Sequence, residues 1–182
     1  MNPMNSVKGI ETKRFNLRPL KQSDKGLFYH LYQDPFLCIN LGGALSDEQA
    51  EIAFNVSLKK NHQIFERFTW TIWDGEQSIG ICSLVKSKVV ANASDLGTVI
   101  IEEYHAKGVA KEVLARITDY GFEELGLDSL VGWSYFKNKI SEKLMHSLSY
   151  DCRQVFDTDK PGNYWSLTHS QWAKIKSEES KI

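Results

Sequence analysis

The sequence predicts one α/β domain over residues 1–182, with a mixed, mostly antiparallel twisted sheet of about seven strands and about four flanking helices. The clearest indication lies at residues 96–122, where an unbroken apolar run precedes a short glycine-containing loop and an amphipathic stretch. This order is typical of a buried strand that leads into a packed helix. A second indication is Asp74-Gly75, a turn sequence between two apolar runs, which predicts an antiparallel hairpin. No linker, repeat or low-complexity segment divides the 182 residues, a length that suits a single core.

The first half of the chain carries the signals of one strand, two helices and the hairpin. Phe15 and Leu17 alternate with polar residues, which is typical of a strand. Pro35 is expected to end the first helix, and Ser46 with Gln49 forms a capping box for the second. After a loose leader at residues 1–13, these signals predict a strand at Arg14–Leu20, helices from Ser23 or Asp24 to Asp34 and from Ser46 to about Asn61, and strands at Phe68–Trp73 and Ser78–Val85.

The second half alternates strands with amphipathic helices. Glu112 and Arg116 have i, i+4 spacing on the outer face of the first of these helices, where opposite charges pair. The spacing of Ile140, Leu144 and Leu148 predicts the inward face of the next helix. The expected buried stripe of the first helix comprises Val109, Val113, Leu114, Ile117 and Tyr120. The expected elements are a strand at Ala93–Ile101, a helix at Gly108–Leu125, a strand at Leu130–Phe136, a helix at Asn138–Ser147, and strands at Cys152–Asp157 and Asn163–Thr168.

The loop between the apolar strand and its helix has the composition of an anion-binding helix N-terminus. Its residues are His105, Ala106, Lys107, Gly108, Val109, Ala110 and Lys111. The small residues let a ligand approach the N–H groups that the first turn of a helix leaves unpaired, and the two lysines add positive charge. The arrangement suits a pyrophosphate, although a glycine between a strand and a helix also occurs for purely structural reasons.

Composition disfavours several classes of protein. The net charge is −1 and no long basic block occurs, which disfavours a nucleic-acid binder that relies on phosphate neutralisation. No apolar run is long enough to span a bilayer, and the N-terminus lacks an apolar signal-peptide core, so no membrane is expected. Cys38, Cys82 and Cys152 form no CxxC pair and the histidines show no metal spacing, so neither disulfides nor a metal are expected. Free thiols fit a reducing compartment, which predicts a cytoplasmic protein.

Five segments, in this order and spacing, carry a resemblance to a known family. They are RFNLRPL, SIGICSL, DLGTVIIEEYHAKGVAKEVL with FEELGLDSL, NKISEKLMHSLSY and NYWSLTHSQW. In that order they resemble the opening strand, the third-strand segment, the central acetyl-CoA motif, the following helix and the closing strand of the GNAT superfamily of acetyl-CoA-dependent N-acetyltransferases. The chain looks most similar to its RimJ/RimL-like branch, the ribosomal-protein N-terminal acetyltransferases. The resemblance extends from Arg14 to Trp172.

The chain departs from the family pattern at two places. His105 stands where the superfamily usually has Gln or Arg, and Ala106 stands where Gly is common. Neither change removes a backbone donor, so cofactor binding is expected to survive. Met145 occupies the position of a tyrosine that in many members protonates the departing thiolate, and Ser149-Tyr150 replaces the usual Gly-Phe. A tyrosine acid at the usual place is therefore absent.

The resemblance implies transfer of an acetyl group from the cosubstrate acetyl-CoA to a primary amine, without a metal. It implies that backbone groups of Val99, Ile100 and Ile101 pair with the pantetheine arm like an added strand. The loop of residues 105–111 would take the pyrophosphate, and Asn138 would contact the pantetheine or the adjacent phosphate region. The N–H of Val99 is the expected donor to the oxyanion of the tetrahedral intermediate.

Two side chains are candidates for moving protons. Asp95 aligns with the acidic residue that the RimJ/RimL-like pattern has two positions before the strand Gly, here Gly97, and this resemblance makes it the first choice for the general base. Asp95 and Gly97 point to one face of the strand, and desolvation in a cleft would raise the basicity of the carboxylate. Ser141 shares a helix face with Asn138 and is the family-like candidate for assisting the departing sulfur, as a donor or by positioning a water. Tyr104 and Tyr135 are further candidates for the acid. Each residue also has a structural interpretation: a hydrogen-bonded strand-end Asp, or a Ser on a helix surface.

The acceptor is the part of the reaction that the sequence leaves open. The irregular segments Tyr29–Ser46 and Asp157–Asn163 are expected to form its pocket, since specificity usually resides in such segments. The resemblance favours an α-amine of a protein or peptide. A small amine such as a polyamine, amino acid or aminoglycoside is an alternative, and a non-catalytic acyl-CoA-binding protein is another. Both a monomer and a homodimer fit the sequence, and the absence of GxGxxG disfavours a dinucleotide-binding fold.

Overall fold

The computed structural model describes residues 7–61, 66–156 and 159–181. Within these ranges, eight strands form one sheet, and six α-helices and two short 3-10 turns accompany it. The strands are β1 (Ile10–Glu11), β2 (Asn16–Pro19), β3 (Arg67–Asp74), β4 (Gln77–Lys86), β5 (Ala93–Ile100), β6 (Ser129–Ser134), β7 (Asp151–Val155) and β8 (Gly162–Thr168). The helices are α1 (Lys25–Gln33), α2 (Pro35–Cys38), α3 (Asp47–Lys60), α4 (Val109–Glu123), α5 (Lys139–Ser147) and α6 (His169–Glu179). The predicted mixed α/β fold is confirmed.

The sheet has the strand order β1-β2-β3-β4-β5-β6-β8-β7. Every pair of neighbours is antiparallel except β5 and β6, which are parallel. The β5–β6 pairing extends only from Ala93 opposite Ser129 to Asp95 opposite Val131. Beyond Asp95 the two strands separate, so the sheet opens in its middle along the second half of β5.

The core lies on both faces of this sheet. On one face α4 packs its apolar stripe, which is buried as predicted, and the ring of Tyr120 meets that of Trp70 edge-on at 5.5 Å. On the other face α1 and α3 pack together through Phe28 and Phe54, whose rings are 5.4 Å apart. Each side chain of β5 therefore points toward one of two differently built layers.

Three elements were not expected from the sequence. The predicted leader contains β1, which pairs with β2 through Ile10 and Leu17. The first helix ends before Pro35, as predicted, but this proline also begins α2, because Pro is tolerated at the first helical position and the Asp34 carboxylate accepts hydrogen bonds from the next two N–H groups. The closing strand is followed by α6, which Thr168 caps in a capping box.

Smaller differences concern turns and faces. The hairpin turn consists of Gly75 and Glu76, one residue later than predicted, and Gly75 has φ +57°. Ile140 is 81% exposed, so its predicted inward position is wrong. The buried side chain of α5 is Met145 instead. The predicted last residue of the next strand, Asp157, lies outside the described residues.

No described helix combines the length and the hydropathy that crossing a membrane requires.

Candidate functional site

The opening between β5 and β6 leaves one edge of β5 without a partner strand. Along its other edge β5 pairs with β4, and the N–H of Ile101 donates to the carbonyl of Ile79 at 3.0 Å. In an antiparallel pair the hydrogen-bonding residues alternate, so Val99 and Ile101 turn their N–H and C=O groups toward β4. Thr98 and Ile100 turn theirs toward the opening. The free edge is therefore a row of backbone groups to which an extended ligand can add.

This alternation separates the three residues whose backbone groups were predicted to pair with the pantetheine arm, Val99, Ile100 and Ile101. Only Ile100 directs its backbone polar groups to the opening, so the strand register disfavours Val99 as an oxyanion donor and Ile101 as a partner of the pantetheine arm. The carbonyl of Ile100 already accepts a hydrogen bond from Nε2 of His105 at 2.8 Å. The His105 ring also stacks on Phe36, with ring centroids 6.4 Å apart. His105 thus connects α2 to the last residue of β5.

The loop before α4 has the backbone of an anion site. Ala106 and Gly108 have φ values of +58° and +75°. The positive φ explains why Gly is the residue expected at position 106, since a side chain there is strained. The first helical hydrogen bond of α4 runs from the N–H of Glu112 to the carbonyl of Gly108 at 3.1 Å. The N–H groups of Val109, Ala110 and Lys111 consequently have no acceptor within the helix, and the loop before them is exposed.

The predicted pairing of Glu112 with Arg116 is wrong. Glu112 instead forms a salt bridge with Arg14, 2.7 Å from Nε to the carboxylate. Nε of Arg116 donates to the carbonyl of Glu11 at 3.3 Å. Spacing along one helix could not show this, because the partner segment lies about a hundred residues away in sequence.

The first turn of α5 lies on the α4 side of the sheet. Asn138 is its N-cap, and its side-chain oxygen accepts a hydrogen bond from the N–H of Ser141 at 3.0 Å. The oxygen is thus used within the protein, and the amide NH₂ is the group that could reach a ligand. Met145, which occupies the position of the usual tyrosine, is buried beside Gly132. Its thioether carries no exchangeable proton, so it cannot act as the acid. Ser141 is partly exposed one turn before it.

Asp95 occupies the opposite face, at the point where β5 and β6 separate. Burial raises the pKa of its carboxyl above the ordinary value, while a hydrogen bond from Ser87 and the positive charge of Lys160 oppose that shift. Val99 and Gly97 share this face by the period of two along a strand. A half-buried carboxylate with a raised pKa at the mouth of an opening has the properties of a general base.

Tyr164 was not predicted for this site. It lies opposite Trp133 in the β6–β8 pairing, and its hydroxyl is buried without a hydrogen-bond partner among the described residues. Burial raises the pKa of Tyr164, and the charge of Asp95 adds to the shift. We define the acceptor face as the sheet surface formed by Asp95, Val99, Trp133 and Tyr164. Only the pairing of β6 with β8 could have revealed Tyr164, because nothing in its local sequence distinguishes it.

A cavity of about 310 Å³ lies beside Val99 on the acceptor face. Its lining is mostly apolar and consists of Tyr32, Cys38, Leu41, Gly43, Leu45, Ser83, Gly97, Thr98 and Val99. None of these residues carries a charge. Leu41 is half exposed, as are its neighbours Phe36 and Ile39. Five residues of the segment Tyr29–Ser46, which is predicted to form the acceptor pocket, therefore line this cavity.

Of the other predicted candidates, Tyr104 lies away from the acceptor face, whereas Tyr135 and Lys160 contact its Trp133. The hydroxyl of Tyr104 donates to Asp74 at 3.0 Å, near the hairpin turn. Tyr135 packs its ring edge-on against Trp133 at 4.5 Å. In the segment Asp157–Asn163, the first two residues lie outside the described ranges, and Nζ of Lys160 lies 4.0 Å from the centre of the Trp133 ring.

Comparison with known proteins gives one family. The model of the acetyltransferase (GNAT) domain matches residues 14–150. An uncharacterised N-acetyltransferase of Bacillus licheniformis, p20, is 24% identical over 145 residues, which span 78% of this chain and 81% of that protein.

Solved structures with similar folds include several acetyltransferases. One from Agrobacterium tumefaciens has a TM-score of 0.78 at 22% identity and covers 92% of this chain and 98% of its own. The ribosomal L7/L12 α-N-protein acetyltransferase RimL, in complex with coenzyme A, has a TM-score of 0.78 at 13% identity, with 90% and 99% covered. Spermidine N-acetyltransferase from Vibrio cholerae, in complex with CoA and spermine, has a TM-score of 0.72 at 16% identity, with 88% and 98% covered. These likenesses concern the fold.

Proposed function

Because this chain belongs to the acetyltransferase (GNAT) domain family, and so is an acyltransferase, we propose that it acetylates the α-amine at the N-terminus of a protein or peptide, with acetyl-CoA as donor. The observation that carries the proposal is the opening between β5 and β6. It has free backbone groups along one strand edge, an anion site at one end and Asp95 on the acceptor face. This arrangement provides a donor site and a proton acceptor on opposite sides of one strand.

The donor is held mainly by backbone groups in this proposal. The N–H and C=O groups of Ile100 pair with the pantetheine arm, the N–H groups of the loop 105–111 bind the pyrophosphate, and the NH₂ of Asn138 reaches the arm from α5. Coenzyme A in the related RimL and spermidine acetyltransferase structures supports the choice of ligand. The unpaired N–H groups at the start of α4 support the pyrophosphate position.

The chemistry is a direct transfer. Asp95 removes a proton from the ammonium, directly or through water, and the free amine attacks the thioester carbon. The oxyanion that forms accepts a hydrogen bond from a backbone N–H at the opening, for which Thr98 replaces Val99, because the strand register turns the N–H of Thr98 toward the opening and that of Ile100 pairs with the pantetheine arm. As the C–S bond breaks, the nitrogen loses its second proton and the sulfur gains one, with Ser141 as the nearest family-like hydroxyl for the transfer.

The lining of the cavity favours an α-amine over a polyamine. A polyamine carries several positive charges and needs carboxylates along its binding site. The residues that line the cavity beside Val99 are uncharged and mostly apolar, which suits the first side chain of a peptide. This supports the RimJ/RimL-like branch, whose acceptors are protein N-termini.

The test begins with calorimetric titration of the full chain with acetyl-CoA. A thiol-release assay then compares N-terminal peptides with apolar or acidic first residues against spermidine and free amino acids. The expected result is that the chain binds acetyl-CoA and that only peptides cause release of the CoA thiol. Release by spermidine alone overturns the acceptor assignment, and binding without release by any amine supports a non-catalytic acyl-CoA-binding protein. Absence of binding overturns the donor assignment.

A further inference from the structure

A cluster of hydrogen bonds attaches the N-terminal segment to the start of α4. The hydroxyl of Thr12 and the backbone N–H of Arg14 each donate to Oε1 of Glu112 at 2.7 Å, and Nε of Arg14 donates to Oε2 at 2.7 Å. Both terminal nitrogens of the guanidinium donate to the carbonyl oxygen of Lys107 at 3.2 Å. We call these four residues the Arg14 clamp. It joins segments about a hundred residues apart, at the loop that the proposed function assigns to the pyrophosphate.

The clamp controls which way the loop presents its backbone. A carbonyl oxygen beside an anion is repulsive, and that of Lys107 is held by two N–H donors of Arg14. Because the C=O and N–H groups of a trans peptide point in opposite directions, the N–H of Gly108 then points away from the guanidinium. Gly108 suits this loop because its φ of +75° is strained for a residue with a Cβ, whereas the space beside the guanidinium would admit one, 3.5 Å from its nearest nitrogen.

The clamp also neutralises a charge that would oppose an anionic ligand. Glu112 lies in the first turn of α4, where its carboxylate competes with any other anion for the positive end of the helix dipole. Burial acts to raise the pKa of Glu112, but hydrogen bonds from Thr12 and Arg14 outweigh it and hold the pKa below the ordinary value. The carboxylate is therefore ionised at neutral pH and needs the guanidinium as its counter-ion.

We infer that Arg14 is a positioning residue for the donor site: it fixes the Lys107 carbonyl and offsets the Glu112 charge, so that the loop is pre-formed for the pyrophosphate. The inference rests on the proposed function, since the ligand of the loop is the donor. Pre-formed sites bind more tightly because less conformational freedom is lost on binding. The role requires no contact between Arg14 and the donor itself.

The experiment measures dissociation constants by calorimetry for CoA and for 3′-dephospho-CoA, which keeps the pyrophosphate. Arg14→Ala should weaken both ligands by about the same factor, roughly tenfold, because the loop rather than the 3′-phosphate is affected. Arg14→Lys should recover little, since an ammonium cannot bridge the carboxylate and the carbonyl as a guanidinium does. Arg116→Ala is the matched control, because Arg116 also joins α4 to the N-terminal segment but lies one turn further from the loop. Its affinities should stay within twofold of the parent chain.

A double variant separates the two parts of the inference. Arg14→Ala combined with Glu112→Gln should bind more tightly than Arg14→Ala alone, because the uncompensated carboxylate is gone. Thermal unfolding of each variant checks that the fold is intact, and a binding loss that appears only where the chain unfolds overturns the inference. So does a loss confined to CoA, which would place Arg14 on the 3′-phosphate. If the parent chain binds neither ligand, the proposed function fails first; if it binds and Arg14→Ala binds equally, only the inference fails.

Discussion

The two faces of β5 are stabilised in different ways. On the α4 side the phosphate loop is held by the Arg14 clamp, and its backbone conformation is fixed by positive φ values at Ala106 and Gly108. On the acceptor face the cavity is lined largely by side chains of α1, α2 and the segment after them, of which Leu41 is half exposed. A donor site made of backbone can stay constant while side chains vary. In the proposed function, the acceptor face, which is made of side chains, is the part that sets specificity.

The largest expected effect tests the acceptor face at Asp95. Asp95→Asn should lower kcat about 10²- to 10⁴-fold because the general base is lost, and leave the affinity for acetyl-CoA unchanged. In the parent chain kcat/KM should rise with pH through the raised pKa of Asp95, because only the ionised carboxylate accepts a proton. This rise of kcat/KM with pH should be missing in Asp95→Asn. Asp128→Asn, an exposed carboxylate just before β6, is the control. Full activity in Asp95→Asn would assign proton removal to water or another group.

The next largest effect concerns the strand that separates the two faces. A Cβ at Gly80 would lie 2.6 Å from the carbonyl oxygen of Val99 and 3.1 Å from Cα of Ile100. Gly80→Ala must therefore push β5 away from β4, and we expect a loss of about 1–3 kcal/mol in the free energy of unfolding. Urea denaturation measures it. Gly26→Ala is the control, since Gly26 lies in α1 with no atom near its added Cβ and should be neutral or stabilising. Equal free energies of unfolding for Gly80→Ala and Gly26→Ala would show that β5 can shift away from β4 without cost.

The contrast between the faces also explains which features the sequence could predict. The connection of β5 to α4 through the loop of residues 105–111 was predictable because its residues are contiguous, and a strand, a glycine and a helix start are local signals; its binding of a pyrophosphate stays a prediction. The stripe of α4 and the capping box at Ser46 were predictable for the same reason. Even the choice of base rested on Asp95 lying two residues from Gly97.

Features that depend on pairing between distant segments were not predictable. The clamp joins Arg14 to Glu112, and local spacing suggested Arg116 instead. The position of Tyr164 depends on the register of β6 with β8, and the strand register that favours Ile100 over Val99 depends on β4. A periodicity shows which residues share a face but not which partner that face meets.

A pair of glycines distinguishes the two faces directly. Gly97 has no atom within 4 Å of an added Cβ, so Gly97→Val should fold and place its methyl groups in the acceptor cavity. We expect KM for the peptide to rise roughly tenfold while the affinity for acetyl-CoA stays within twofold. Gly108→Ala should do the reverse, because φ +75° is strained for a residue with a Cβ and the loop must shift. Steady-state kinetics, with the concentrations of peptide and acetyl-CoA both varied, measures the constant for each substrate in each of the two variants. Equal effects of the two variants on both substrates would contradict the separation of the faces.

The smallest effect is the pH dependence of the clamp. The pKa of Glu112 is lowered in the folded chain, so its ionised form stabilises the fold above the ordinary Glu pKa of 4.5, and this contribution disappears as pH falls through the lowered value. Since the Arg14 side chain is 47% exposed, the stabilisation should be at most about 1 kcal/mol. Urea denaturation of the parent chain and Glu112→Gln at pH 7 and pH 3 should show a difference that shrinks at the lower pH. Glu123→Gln, exposed at the end of the same helix, should show no such trend. A constant difference would mean that Glu112 acts through the shape of its hydrogen bonds, and the charge argument for Arg14 would then lose its support.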